Sequence, residues 1–388
     1  MVSFTDTKTA FEYKSNKALK KAQRLFTLIG MPRLSKLGMK LANLGLKLHL
    51  PISGLIKSTV FDQFCGGTDI EDSQKTMETL AQYGVHSLLD YSVEGKANEA
   101  DFNACASAIL ETIKLAKDQN HIPFAVFKVT GLIRFELLEK KNTKQTLSKA
   151  EKIEYNTGYK RVDKLCKKAF NLNVPIMIDA EESWIQDAID DIVEDCMKKY
   201  NKVSVIVYNT VQLYRHDRLD YLKSLHKRSQ EEGFYVGLKL VRGAYMEKER
   251  NRAKENDYLS PIQPDKASTD RDYDLALRYC LAHHSGISIC AGTHNETSSL
   301  LLTTLMKEAK IDKQHVGFYF AQLLGMSDNI SFNLAKHGYR VVKYVPFGPV
   351  KDVMPYLIRR AEENTSIAGQ SSRELKLINE EIKRRSLN

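Results

Sequence analysis

The sequence predicts an α/β fold, a (β/α)8 barrel of the TIM type behind an N-terminal helical arm. Three observations carry the prediction. Eight short, nearly continuous apolar runs follow one another between residues 86 and 348. Longer segments of helical periodicity lie between them. Every run ends on polar or ionisable residues. Strands with no polar face belong to a parallel sheet covered on both sides. Eight strand–helix units close a barrel, whereas a doubly wound open sheet usually has fewer strands and a glycine-rich first turn.

The arm comes first. The stretch RLFTLIGMPRLSKLGMKLANLGLKLHLPISGLIKSTVF, residues 24–61, sets Leu and Ile at helical spacing beside Arg24, Arg33, Lys36, Lys40 and Lys47, with no acidic residue before Asp62. This pattern suits either a helical arm packed on the main domain or a basic amphipathic surface resting on an anionic bilayer. The strands follow as HSLLDYS, IPFAVFKV, VPIMIDA, VSVIVYNTVQ, YVGLKLVRG, ISICAGTH, VGFYFAQL and RVVKYVPFG. Helices are expected over 96–119, 149–171, 184–199, 217–232, 270–285 and 296–310. The organisation expected is an arm over 1–68, a barrel over 69–372 and a C-terminal tail over 373–388.

A hydrophobic fraction of 43% with 18 tyrosines supplies a real core and excludes a disordered chain. The six cysteines are scattered without a CxxC pair. That fits a reducing compartment and argues against a disulfide or zinc scaffold. No run reaches the ~18 apolar residues of a membrane span. Asp6 and Glu12 count against an organellar transit peptide. The formal charge of +10 favours acidic partners, whether nucleic acid, anionic lipid or a small carboxylate. No GxGxxG, Walker, HExxH or Gly-x-Ser-x-Gly pattern occurs, which sets aside several nucleotide, zinc and serine chemistries. No spacing recommends a metal site.

In barrels of this kind the active site forms at the C-terminal ends of the strands. Those ends read Asp90 and Glu94, Lys128, Asp179 and Glu181, Gln212, Lys239 with Arg242 and Tyr245, Thr293 and His294, Gln322, and Tyr344. One polar strand end is unremarkable; eight in succession describe a polar mouth built for a ligand. The densest group is GLKLVRGAYMEKER, residues 237–250. There Lys239 and Val241 point to one face of the strand and Leu240 and Arg242 to the other. Gly243 permits close approach of the backbone to a ligand. A cation at this place suits an extended anion, or a ring that gains negative charge on reduction. Further on, MPYLIRRAEEN, residues 354–364, reads as a helix with Tyr356, Arg359, Arg360 and Glu363 on one face. That stripe is ordinarily apolar. Here it holds charge.

The motifs IDAEES, TVQLYR, KLVRGAY, AGTHN, QLLGM, YVPFG and YLIRRAEEN together resemble the proline dehydrogenase family, over about residues 60–370. TAFEYKSNKALKKA near the start resembles its monofunctional and mitochondrial-type members. The resemblance implies a distorted (β/α)8 barrel with FAD at its mouth. It implies oxidation of L-proline to Δ1-pyrroline-5-carboxylate by hydride transfer to flavin N5, the first step of proline catabolism. Electrons would pass to a membrane quinone, with the basic arm as docking surface, and a separate pyrroline-5-carboxylate dehydrogenase would follow. No nucleic acid is implied.

The resemblance also distributes roles. Arg359 and Arg360 would grip the proline carboxylate with charge-assisted hydrogen bonds, and Lys128 would add a third cation. Tyr344, Tyr356 and Leu324 would wall the pyrrolidine ring. Asp179, Lys239 and Tyr344 stand as catalytic-site residues, with Asp179 an organiser of cations rather than the base. The cofactor would meet Asp179, Ala180, Gln212, Lys239, Val241, Arg242, Gly243, Ala244, Tyr245, Thr293, His294, Asn295, Gln322 and Glu363. Glu94, in an LDxxxE pattern, would pair with Arg359 as a gate. Substrate amine must lose its proton before hydride leaves, so the rate should rise with pH.

Two positions depart from many bacterial relatives: Lys239 stands where they have arginine and Met246 where they have tryptophan. Lysine lacks the planar fork of arginine, so a contact at flavin N5 would be weaker or differently shaped. Hydroxyproline oxidation is the nearest rival activity, and Tyr344 argues against it by crowding the place of the hydroxyl. A methylenetetrahydrofolate reductase would not need a paired-arginine clamp. A non-enzymatic basic module for membrane or nucleic acid leaves the polar strand ends unexplained. The location expected is the bacterial cytoplasm, peripheral to the inner membrane, with the matrix side of the mitochondrial inner membrane as the alternative.

Overall fold

The computed structural model describes residues 2–31, 38, 53–91, 98–366 and 370–386, with the side chains of Ser53, Leu55 and residues 361–372 outside that description. Eight parallel strands pair in sequence order and close into a barrel. They are β1 Val85–Tyr91, β2 Phe124–Lys128, β3 Ile176–Asp179, β4 Val207–Gln212, β5 Val236–Val241, β6 Ile287–Gly292, β7 Phe318–Leu323 and β8 Val341–Phe347. All eight apolar runs therefore hold strands. The fourth begins later than its sequence suggests. Asn201 Oδ1 accepts the N–H groups of Ile206 and Val207 at 2.9 and 2.8 Å, folding residues 202–206 into a turn that leaves Val203 84% exposed.

The helices, in order, are α1 Thr7–Phe11, α2 Asn16–Ile29, α3 Ile70–Gln82, α4 Glu99–Asp118 and α5 Phe135–Asn142. Next come α6 Lys149–Leu172, α7 Ser183–Tyr200, α8 Arg218–Glu232, α9 Met246–Glu255 and α10 Lys266–Ala282. The last are α11 Glu296–Glu308, α12 Asp328–Lys336, α13 Met354–Ser366 and α14 Gln370–Arg384. Caps explain the boundaries. Ser148 and Glu151 form a reciprocal capping box that starts α6, and Asn173, at φ 53°, ends it. The α10 helix starts at 266 rather than 270 because the Asp265 side chain accepts the Ser268 N–H at 2.7 Å.

Contacts divide the chain into two compact units, residues 95–321 and residues 1–94 with 322–388. In the first, Phe124 meets Tyr208 and Tyr319 edge-on, with ring centroids 5.5 and 4.7 Å apart. These rings plug the N-terminal end of β2, β4 and β7, so the polar residues collect at the opposite ends. In the second unit, Phe11, Leu19, Phe26, Phe64, Tyr356, Leu377 and Ile378 share one buried apolar cluster. The α1, α2, α13 and α14 helices are joined through it. Burying each large side chain contributes ~1.5–3 kcal/mol.

The inner face of α2 is therefore spent on packing, while much of the basic stretch after it, residues 32–37 and 39–52, lies outside the described residues. The stretch 373–388, expected as a tail, carries most of α14. All six cysteines are buried thiols, and none forms a disulfide. Among the described residues no helix is long and apolar enough to cross a membrane.

Candidate active site

Within residues 95–321, the ends of β2, β3 and β5 bring three charged side chains together. Lys128 donates to Asp179 Oδ2 at 3.1 Å, and Lys239 donates to Asp179 Oδ1. Both lysines and the carboxylate are largely buried. One carboxylate thus orients two ammonium groups, one on each oxygen.

A second carboxylate, Glu181, stands two residues on. It accepts the Thr130 N–H at 3.0 Å and the Thr130 hydroxyl at 2.5 Å, tying the turn after β2 to the end of β3. Burial pushes this carboxyl up to about 7, with Glu182 adding to the rise and Thr130 and Lys128 opposing it. Sequence reading placed Glu181 at a strand end but gave it no role. Its pairing with Thr130 spans 51 residues and leaves no local signature.

Gln212, at the end of β4, bridges two neighbours. Its Nε2 donates to Glu181 O at 2.7 Å, and its Oε1 accepts the Ala244 N–H at 3.4 Å. The turn it holds includes Gly243 at φ +138°, a value L side chains rarely adopt. A Cβ there would lie 2.4 Å from the Tyr214 ring, so the close approach that demands glycine is to Tyr214. Val241 ends β5, and Tyr245 stands at the N-terminal boundary of α9 without a side-chain cap hydrogen bond.

Arg242 leaves β5 on the face opposite Lys239. It donates to Asp270 at 2.7 Å, Thr293 Oγ1 at 2.6 Å and Ser298 Oγ at 3.0 Å, and its guanidinium lies 4.3 Å from the centroid of the Tyr273 ring. Thr293 also accepts the Asn295 N–H at 3.1 Å, and Asn295 caps α11 through Ser298. The Arg242, Thr293 and Asn295 group is thereby one hydrogen-bonded unit, with His294 inside its turn. Ala180 is buried beside Asp179.

Within the other unit, α13 carries the paired arginines. Arg360 is 6% exposed and lies 5.2 Å from the centroid of the Tyr356 ring, itself buried; Arg359 is half-buried. Leu324 is buried, and its N–H donates to Tyr344 O at 2.9 Å. Tyr344 neighbours the fully buried Lys343 on β8 and faces the opposite side of the strand. Gln322 is buried and accepts from the Ser331 hydroxyl at 2.8 Å. Glu94 and the side chain of Glu363 lie outside the described residues.

A family model described as proline dehydrogenase matches residues 73–373. The mitochondrial proline dehydrogenase 1 of Dictyostelium discoideum is 33% identical over 98% of this chain and 74% of its own length. The hydroxyproline dehydrogenase of Xenopus laevis is 29% identical over 100% of this chain and 91% of its own length. Among solved structures, proline utilization A (PutA) from Bdellovibrio bacteriovorus, inactivated by N-propargylglycine, matches with a TM-score of 0.71 at 19% identity. That match covers 93% of this chain but 38% of the PutA chain, and at such identity it shows the fold alone.

Proposed function

The chain belongs to the proline dehydrogenase family, and from that premise we propose that it oxidises L-proline to Δ1-pyrroline-5-carboxylate with FAD as its cofactor. It is an oxidoreductase of proline catabolism. The observation that carries the finer reading is Asp179 between Lys128 and Lys239. Two ammonium groups oriented by one carboxylate would present their remaining N–H donors to a substrate carboxylate or an electron-rich ring.

The residues fit a flavin. An isoalloxazine edge presents mainly acceptors, and Lys239 is a buried donor at a strand end. Lys239 and Gln212 would hold the ring edge. The backbone of Val241 to Tyr245 would line the cofactor, with Asp179, Ala180, Thr293, His294, Asn295, Gln322 and Glu363 around it. Bound FAD supplies, at N5, the acceptor for the hydride that leaves the proline carbon beside nitrogen. The protein's task is positioning. Arg359, Arg360 and Lys128 bind the carboxylate, Tyr344, Tyr356 and Leu324 enclose the ring, and Glu94 with Arg359 gates entry. The substrate ammonium first releases its proton to solvent, so turnover rises with pH.

Electrons then pass to a membrane quinone, and the basic stretch around Arg33 to Lys47 rests on anionic lipid. That location is the matrix face of the mitochondrial inner membrane, as a relative named mitochondrial suggests, or the cytoplasmic face of a bacterial inner membrane. A separate pyrroline-5-carboxylate dehydrogenase consumes the product.

Similarity to a hydroxyproline dehydrogenase favours a second reading, oxidation of trans-4-hydroxy-L-proline. Tyr344 supports proline instead, by crowding the ring carbon that bears the hydroxyl. The test is turnover of FAD-loaded protein with a soluble quinone, trapping the product with o-aminobenzaldehyde. Adduct formed faster from L-proline supports the reading. Adduct formed only from hydroxyproline supports the second, and no adduct from either rejects both.

A further inference from the structure

The loop after β7, Leu323 to Ser327, is held in a costly conformation from three sides. Gly325 takes left-handed backbone at φ 74°, which glycine adopts freely, whereas Ser327 takes it at φ 51°, uncommon for a residue with a side chain. A Cβ at Gly325 would lie 2.0 Å from Gln63 O. Backbone of this kind persists only where the surroundings over-determine it.

Three side chains do so. Gln63 Nε2 donates to Gly325 O at 2.8 Å. Lys343 donates to Met326 O at 2.5 Å and to Leu323 O at 3.3 Å. Glu374, on α14, accepts the Ser327 N–H at 2.5 Å.

Lys343 and Glu374 belong to a buried charged cluster. Lys343 also pairs with Asp328 at 2.9 Å, and Asp328 accepts from Tyr13 at 2.7 Å with Lys14 3.8 Å away. Replacing a buried charged cluster with apolar side chains of similar volume is often neutral or stabilising, so stability alone does not account for this one. The cluster ties Tyr13 and Lys14 to Asp328, and Lys343 and Glu374 make their backbone contacts on one loop. That loop carries Leu324, whose N–H is bonded to the carbonyl of Tyr344, the residue after Lys343. The cluster therefore holds the loop that carries one wall proposed for the pyrrolidine ring and is hydrogen-bonded to the strand that carries the other. Glu374 lies one residue beyond the stretch that matches the family.

We propose that Glu374 and Lys343 are positioning residues which, through the loop Leu323–Ser327, fix Leu324 and Tyr344 and so set affinity for the substrate ring. The proposal rests on the reading that this protein oxidises proline.

Two measurements test it on the full-length, FAD-loaded protein: steady-state kinetics with L-proline, and hydrogen exchange of peptides spanning residues 322–328. Glu374→Ala removes the acceptor of the Ser327 N–H. It is expected to raise KM roughly ten-fold with kcat within about two-fold, and to speed exchange in the loop. Glu374→Gln keeps an accepting oxygen and is expected to stay within about three-fold of the parent KM. Gln63→Ala releases the same loop from its other side, is expected to shift KM and exchange in the same direction, and serves if Glu374→Ala does not fold. Parent-like KM and parent-like loop exchange in these folded alanine variants would overturn the proposal. A parent protein that never turns over proline would defeat the functional reading, while the exchange arm would still test the clamp.

Discussion

Asp179 accepts Lys128 on one carboxylate oxygen, at 3.1 Å, and Lys239 on the other. Neither lysine could be buried so near the other without it, because breaking one side of a buried pair costs ~3–5 kcal/mol. In Asp179→Asn the two ammonium groups share a neutral amide with one accepting oxygen. A fall in kcat/KM of about 100-fold is expected, with weaker retention of FAD on gel filtration. Wild-type kcat/KM and full flavin content in a folded Asp179→Asn would show that the bridge serves neither cofactor nor substrate.

Arg360 stacks over Tyr356 and is nearly buried, a setting in which the planar guanidinium is not replaced by an ammonium. Arg360→Lys is expected to raise KM for L-proline by roughly 10- to 100-fold, with a smaller change in kcat. Isothermal titration with a non-reacting proline analogue checks the same loss without turnover.

Glu181 and Glu374 are both pushed up to about 7, chiefly by burial, from an ordinary value of 4.5. Each then binds its proton more tightly in the folded chain than in the unfolded one. Between about pH 4.5 and 7 the folded chain holds more protons, so stability falls as pH rises through that window. The loss approaches ~3 kcal/mol per group. Urea denaturation at pH 5 and pH 7.5 is expected to show the decline, and the double variant Glu181→Gln with Glu374→Gln to flatten it. A parent whose stability rises across the window would refute this assignment.

Gly243→Ala places a Cβ 2.4 Å from the Tyr214 ring in a backbone conformation that suits glycine. Strain and overpacking together are expected to cost ~2–4 kcal/mol. Thermal unfolding should therefore show a lowered midpoint. The companion Gly243→Ala with Tyr214→Ala should recover part of it, because the ring is the obstacle.

The barrel was legible because its strands are buried on both faces and read as apolar runs. Helix α12 was not, since its buried face includes Asn329, Ser331 and Asn333, whose burial no hydropathy pattern announces. Helix α9 was hidden by near-uniform polarity: Met246 and Ala253 are its only apolar residues. For α14 the signal existed, with Leu375, Ile378 and Ile382 at helical spacing, yet the stretch 373–388 was expected as a tail. At the site, residue types were legible and partnerships were not. Lys239 and Asp179 are 60 positions apart, and Glu374 and Ser327 are 47 apart. Only the fold brings such pairs into contact.

The central claim is that this chain oxidises proline through a bound flavin. An anaerobic absorbance spectrum of the purified, FAD-loaded protein, recorded before and after L-proline and then trans-4-hydroxy-L-proline, tests it most directly. Oxidised-flavin bands that bleach with proline much faster than with hydroxyproline are the predicted result. Bands that persist with both, or a protein that takes up no FAD, would contradict it.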